Sequence, residues 1–310
     1  MILTLTLNPA LDKTIYLDSL NLGKLNRSQK VIKDVGGKGI NISQVVTKLG
    51  VQTVATGFLG GSTGEFIISQ LRELGIAHDF IEVTEETRTN LKIIAKDSQQ
   101  ETEINEQGAK VNKAQLTALK KKLFTRLSAG DSLLLAGSLP PNIPADIYAE
   151  LITSLEEKEV KTFLDTSGLA LAEGIKAKPF LVKPNLAELE GLIDTKLSTQ
   201  EEIVAAAKEL QENGPQIVVI SRGSKGSLAI TPAGKFIVTP PQVKAKSTIG
   251  AGDTLLGALA LKLAAGNPFK KALRYATAAS ASTVTKPGTQ LCTAAEIREL
   301  LPKVQLREIN

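Results

Sequence analysis

The chain has 310 residues, 42% hydrophobic and 22% charged, with 25 Gly and 13 Pro scattered without a period, a balance that excludes a disordered, collagen-like or low-complexity polypeptide. A formal net charge of +5 with only 4% aromatics and no tryptophan favours small anions over nucleic acid, whose binding surfaces interleave basic groups with stacking rings. A single histidine, His78, and a single cysteine, Cys292, argue against a histidine-based zinc site, a Ser-His-Asp triad or an internal disulfide, and leave general-base work to a carboxylate or a lysine.

Alternation of apolar and polar residues predicts a strand over 1–7 and further half-polar strands over 11–17 and 27–35. From Gly39 the period changes to that of a helix, followed by a strand over 51–58 and a helix over 64–74. Two more alternating stretches, 89–96 and 101–105, pair by proximity as 11–17 and 27–35 do. Beyond residue 110, strands at 132–136, 161–165, 180–183 and 217–221 alternate with helices at 113–127, 145–158, 186–192, 199–213 and 253–265. Such alternation defines an α/β fold with a parallel sheet covered on both faces. The two half-polar pairs do not fit that scheme and predict a small second sheet, a flap on one α/β core. No apolar run reaches the roughly 18 residues that a membrane helix needs. The alternating start lacks the basic opening of a signal peptide, so a cytoplasmic location is expected.

Four stretches carry candidate chemistry. In Ser247-Thr-Ile-Gly-Ala-Gly-Asp-Thr, small residues run straight into an apolar helix, where unpaired amides at a positive dipole end form an anion cradle. Asp253 there reads either as an N-cap or as a carboxylate kept ionised by the dipole and able to act as a base. Asp34-Val-Gly-Gly-Lys-Gly-Ile-Asn is a second glycine-led helix start, with Lys38 at the turn and Asn41 one turn inside. It is not a P-loop, because the G-x-x-x-x-G-K-[ST] spacing is absent. Asn185 and Glu188, three residues apart in Lys183-Pro-Asn-Leu-Ala-Glu, form a capping box by spacing, and the same pair can hold a hydrated Mg²⁺ through its waters. Ser221-Arg-Gly-Ser-Lys-Gly offers hydroxyl and amide donors to phosphate, or is an ordinary hairpin turn. Two anion cradles in one parallel sheet suit a reaction that joins two anionic substrates at the carboxyl ends of strands.

These motifs, with Asn8-Pro-Ala-Leu-Asp and Gly137-Ser-Leu-Pro, resemble the ribokinase/PfkB carbohydrate kinases in order and across essentially the whole chain. Asn8-Pro-Ala-Leu-Asp and Thr87-Arg-Thr-Asn-Leu-Lys are most similar to the hexose-phosphate branch. The resemblance implies a ribokinase-like three-layer sandwich with a mainly parallel sheet and a β-sheet lid. It implies ATP and Mg²⁺ as cofactors, a monovalent cation such as K⁺ near 247–249 and 284–288, and fructose 1-phosphate as acceptor. Tagatose 6-phosphate is the neighbouring substrate, and a non-catalytic sugar-phosphate or nucleotide sensor is the alternative from another class. It makes Asp253 the base, and Gly250, Ala251 and Gly252 the anion hole. Asp12, Gly37, Lys38, Asn41 and Ser138 would bind the sugar, and Arg88, Arg27 and Lys92 its phosphate. Lys183, Asn185, Glu188, Ser221, Gly223 and Gly226 would face the nucleotide and metal, and Ala279 and Ser282 the adenine. The lid's exposed edges imply a homodimer.

Overall fold

The structure, a computed structural model, describes residues 1–98 and 100–309. In chain order, β1 (Ile2–Thr6), β2 (Ala10–Leu17) and β3 (Lys30–Gly36) lead into α1 (Lys38–Lys48), β4 (Thr53–Leu59) and α2 (Gly61–Glu73). Two short strands, β5 (Ala77–His78) and β6 (Ile81–Glu82), precede β7 (Thr89–Ala95), β8 (Gln100–Asn105) and α3 (Lys113–Arg126). Then come β9 (Ser132–Ala136), α4 (Ile147–Ser154), β10 (Lys161–Asp165), α5 (Gly168–Lys176), β11 (Leu181–Val182), α6 (Leu186–Ile193) and α7 (Gln200–Glu212). The chain continues through β12 (Ile217–Ser221), β13 (Ser227–Thr231), β14 (Gly234–Thr239), α8 (Ala251–Ala264), α9 (Phe269–Thr283), α10 (Ala294–Leu300) and β15 (Gln305–Ile309).

The large sheet runs β15-β14-β13-β12-β11-β10-β9-β1-β4-β5, with β6 also on β4. It is parallel from β5 to β12 and antiparallel beyond. Successive strand residues separate into two cores, as the two-residue period of a strand requires. Leu3, Leu5, Leu133, Leu135, Leu164 and Val182 pack on one face with side chains of α3 to α7. Ile2, Leu134, Phe163, Leu181 and Val219 pack on the other with α1, α8, α9 and α10. Three layers result. Phe163 is fully buried in the central strand and meets Phe180 edge-on at 5.4 Å. Phe163→Ala is therefore expected to cost about 3–5 kcal/mol, read as a lower midpoint in thermal or urea unfolding.

The two half-polar pairs form one small sheet, as expected. The hairpins β2–β3 and β7–β8 are antiparallel, and β2 joins β7 in parallel to give the order β3-β2-β7-β8. Register sets Asp12 opposite both Asp34 and Asn90, so polar side chains collect at the root of this sheet, where it leaves the core. The third strand of the sequence reading starts at Lys30 and not at residue 27. The expected helix over 145–158 stops at Ser154 and continues as a 3₁₀ turn over Glu156–Lys158. Helices α5, α9 and α10 and the strands β13, β14 and β15 were not marked by the periodicity. Ala-rich α9 buries small residues on most sides, which blurs the 3.6-residue pattern. No helix among the described residues is long and apolar enough to cross a membrane.

Candidate active site

Parallel strands deliver their carboxyl ends to one edge, and the site is built there. After β1 comes Asn8, after β9 Gly137 and Ser138, after β10 Thr166 and Ser167, and after β11 Lys183 to Asn185. Asn8, Gly37, Lys38, Asn41, Arg88, Asn90, Ser138 and Glu188 are among the residues lining a cavity of about 350 Å³ at this edge. A second cavity of about 580 Å³ lies beside it, lined by Asn185, Thr199, Ser221, Arg222, Gly223 and Lys225 among others.

The turn into α8 is the pivot of the site. Gly250 is left-handed, with φ +72°, and is itself the N-cap, a conformation that glycine adopts at little cost. The helix therefore begins at Ala251, two residues before the expected 253, and Asp253 occupies its third position with no capping bond. The N-cap reading of Asp253 is thus corrected. Its carboxylate turns inward and accepts from Asn41 Nδ2 at 2.8 Å. Among the described residues the amides of Gly252 and Asp253 have no hydrogen-bond partner, whereas the Ala251 amide leans toward the Thr248 carbonyl at 3.3 Å. Ser280 of α9 donates to the Ala251 carbonyl at 2.9 Å and steadies the turn from behind.

The helix dipole is expected to keep Asp253 ionised and only a modest base, and the second part of that expectation is corrected. Burial, and then the nearby Asp165 carboxylate, push its pKa up to about 6, against the lowering effects of Asn41, Lys38 and Lys183. A carboxylate poised there is a far better proton acceptor than an ordinary aspartate.

Asp165 itself was missed by sequence reasoning. It ends an apolar strand, is 1% exposed, and pairs with Lys38 Nζ at 2.8 Å and Lys183 Nζ at 3.0 Å. Burial alone would raise its carboxyl, but the two ammonium groups outweigh that and hold it below the usual range. The available signal was the acidic residue at the carboxyl end of a buried parallel strand. Lys183 is buried, and its ammonium lies 3.5 Å from where a Cβ on Gly252 would stand. The cation is thus at the anion nest.

At the turn into α1, a Cβ on Gly36 would overlap the Asp12 carboxylate, so only glycine lets that side chain lie across the turn. Asp12 accepts from Asn90 Nδ2 at 2.9 Å. Burial raises its carboxyl, opposed by Asn90 and Arg88. Arg88 is held by the carbonyls of Asn8 at 3.0 Å and Glu106 at 3.2 Å, and leans on Ser138 Oγ at 3.4 Å. Its buried Nε has no hydrogen-bond partner among the described residues. Asn8 and Asn90 were missed as site residues, although they stand inside the motifs Asn8-Pro-Ala-Leu-Asp and Thr87-Arg-Thr-Asn-Leu-Lys.

Asn185 and Glu188 form the complete capping box: the Asn185 side chain accepts from the Glu188 amide and the Glu188 carboxylate from the Asn185 amide, both at 2.8 Å. That bond engages Oε2 of Glu188, while the side chain stays half-exposed in the first cavity. No group of three or more acidic, His or Cys side chains that could hold a metal exists among the described residues. One half-exposed carboxylate on the cavity wall fits a hydrated Mg²⁺ whose remaining ligands are supplied by water and a bound anion, not an all-protein cage.

Five expected residues lie elsewhere. Arg27 is exposed in the loop between β2 and β3 and lines neither cavity. Lys92 is neutralised by Glu101 at 3.1 Å and Glu103 at 2.9 Å on the small sheet, because register sets it opposite Glu103. Ala279 is 0% exposed within a core, and Ser282, 1% exposed, spends its hydroxyl on Glu296; neither has surface to offer an adenine. Gly226 is buried at the end of the turn before β13, outside both cavities.

A layered α/β core with an anion nest, a basic-shifted carboxylate and a second anchored cation is the architecture of a phosphoryl-transfer enzyme. The profile of the pfkB carbohydrate kinase family matches residues 5–296. A 1-phosphofructokinase of Borreliella burgdorferi is 36% identical over 312 residues, covering 100% of this chain and 99% of that protein. One of Bacillus subtilis is 34% identical over 309 residues, covering 100% of both. Among solved structures, phosphofructokinase-2 from Escherichia coli in complex with potassium superposes with a TM-score of 0.92 at 30% identity, over 97% of this chain and 98% of that one. The chain belongs to the pfkB family of carbohydrate kinases. It is an ATP-dependent sugar-phosphate kinase, and the family implies Mg²⁺ with the nucleotide.

Proposed function

We propose that the chain transfers the γ-phosphoryl group of ATP to fructose 1-phosphate, giving fructose 1,6-bisphosphate. The observation that carries this is the buried Asp253 carboxylate, held by Asn41, in the same helix turn as the Gly252 and Asp253 amides that have no hydrogen-bond partner among the described residues; Asn41 also lines the cavity that holds the Arg88 guanidinium. The 1-phosphofructokinase relatives point to the same acceptor.

Arg88 and Ser138 grip the phosphate that the sugar already bears, and Asp12 and Gly37 hold its hydroxyls. Asn41 orients Asp253, which takes the proton from the attacking hydroxyl as the bond to phosphorus forms and the bond to the ADP oxygen breaks. A loose transition state asks for proton removal late, which a carboxylate near neutrality supplies. The Gly252 and Asp253 amides and the Lys183 ammonium face the transferred group as negative charge redistributes over it. Asn185, Ser221 and Gly223 line the nucleotide side. Mg²⁺, when bound through water to Asn185 and Glu188, shields the phosphate charges. Potassium, present in the E. coli relative, serves beside the turn over 247–249 as monovalent cation.

The four-stranded sheet acts as a lid within one kinase domain, excluding water so that ATP is not hydrolysed idly. Its edge strands β3 and β8, with Val31 and Ile104 exposed, pair across a two-fold axis to give a homodimer. The buried, unpaired Cys292 suits a reducing cytoplasm.

Coupled assays with fructose 1-phosphate, tagatose 6-phosphate and fructose 6-phosphate test the assignment. The first is expected to give the highest kcat/KM, and a preference for either of the others overturns it. Because Asp253 must be ionised to accept a proton, kcat/KM is expected to fall as the pH is lowered through about 6. A pH–rate profile flat across that region removes Asp253 from the base role.

A further inference from the structure

Asp165 has two oxygens and two cations, and the cations belong to different halves of the site. Lys38 stands at the turn into α1 and lines the acceptor cavity. Lys183 follows β11, at the start of the segment that leads into the nucleotide side, and lies against Gly252. We propose that Asp165 is a positioning residue for phosphoryl transfer, a single buried carboxylate that fixes the Lys38 and Lys183 ammonium groups on the acceptor and donor sides of the path. The inference rests on the function proposed above.

A role in folding alone does not account for it. The strands concerned are already joined by their ladders, with the Lys183 amide donating to the Leu164 carbonyl at 3.1 Å and β10 flanked by β9 and β11. A buried ion cluster is a poor way to add stability, since apolar side chains of similar size avoid the desolvation cost. What the cluster does supply is orientation. Two ammonium groups that close would repel and swing toward water or toward whichever phosphate arrives first. Tied to one anion, they are preset before charge develops, so no reorganisation is needed during the reaction.

The same carboxylate acts on the proposed base through space. The groups facing Asp253 are Asn41 and Lys38 from α1, Asp165 from β10 and Lys183 after β11; Asp165 raises its pKa and the other three lower it. Glu188 of α6 acts on Lys38 in turn. Asp165 thus offsets the acidifying effect of the two cations that it positions.

The test is Asp165→Asn in the full chain, with three readouts: calorimetric binding of a non-hydrolysable ATP analogue, kcat and KM with the sugar phosphate, and the pH profile of kcat/KM. Analogue affinity is expected to hold or increase, because the released ammonium groups pair with ground-state phosphates. The turnover number is expected to drop about 100-fold, in the range seen on losing one preorganised donor. The acid limb is expected to move to lower pH by about one unit, since a like charge has been removed. Asp165→Glu, which keeps the charge on a longer arm, should leave the limb in place. Turnover and limb both as in the parent overturn the proposal. So does lost turnover with lost analogue binding and an unmoved limb, which is the signature of a merely structural role. If Asp165→Asn does not fold, Lys38→Met answers from the other side: the limb should then rise, and an unmoved limb overturns the proposal. A parent enzyme inactive on every sugar phosphate would instead count against the function itself.

Discussion

Asp253→Asn is expected to bind nucleotide and sugar phosphate about as well as the parent while kcat falls about 1000-fold. The substitution keeps shape and leaves an amide opposite Asn41, whose Nδ2 now donates to the carboxylate at 2.8 Å. An amide cannot accept a proton at neutral pH, so transfer must proceed without a base, whereas the unpartnered helix amides still receive phosphate. Steady-state kinetics together with equilibrium binding separate the two effects. Weaker binding with unchanged turnover would make Asp253 a substrate ligand and not the base. The acid limb of the pH profile should disappear in this variant, because the group that produces it is gone.

Arg88→Ala is expected to raise KM for the sugar phosphate about 100-fold with a smaller change in kcat, the cost of removing a charge-assisted, two-pronged phosphate contact. The guanidinium is held by the Asn8 and Glu106 carbonyls, one just past β1 and one just past β8, the strand beside β7, so its direction is set before substrate arrives. Arg88→Lys should restore little, since an ammonium keeps the charge and loses the planar fork. KM for ATP should stay near the parent value, which distinguishes a lost acceptor contact from a general loosening. Thermal unfolding of both variants checks that the orphaned carbonyls have not unsettled the junction itself.

The parallel core was legible because its strands are short, apolar and separated by amphipathic helices, and three of them, β9, β10 and β12, fall on the predicted residues. The glycine-led turns at Gly36 and Gly250 were legible because their composition has few other uses. Roles set by side-chain direction were not. Asp253 sits within one turn of its helix start whether it caps the helix or faces inward, and only the left-handed backbone at Gly250 decides. Lys92 stands in the same motif as Arg88, yet register brings it beside two glutamates and spends its charge there. Asp165 escaped because a lone acidic residue after an apolar strand has no local partner in sequence: its two lysines lie 127 residues before it and beyond the next helix.

The small sheet has a mechanical consequence. Asp12, Arg88 and Asn90 lie where its strands β2 and β7 begin, beside the places where the chain passes back into the core, while the loop bearing exposed Leu22 and Leu25 is at the opposite end. Any tilt about those roots would sweep the distal loop through a wide arc but barely displace Asp12, Arg88 and Asn90, as a door moves least beside its hinge. For the lid proposed above, capture of the incoming molecule and shielding of the reaction would thereby be uncoupled: the grip would be ready while the gate stands open.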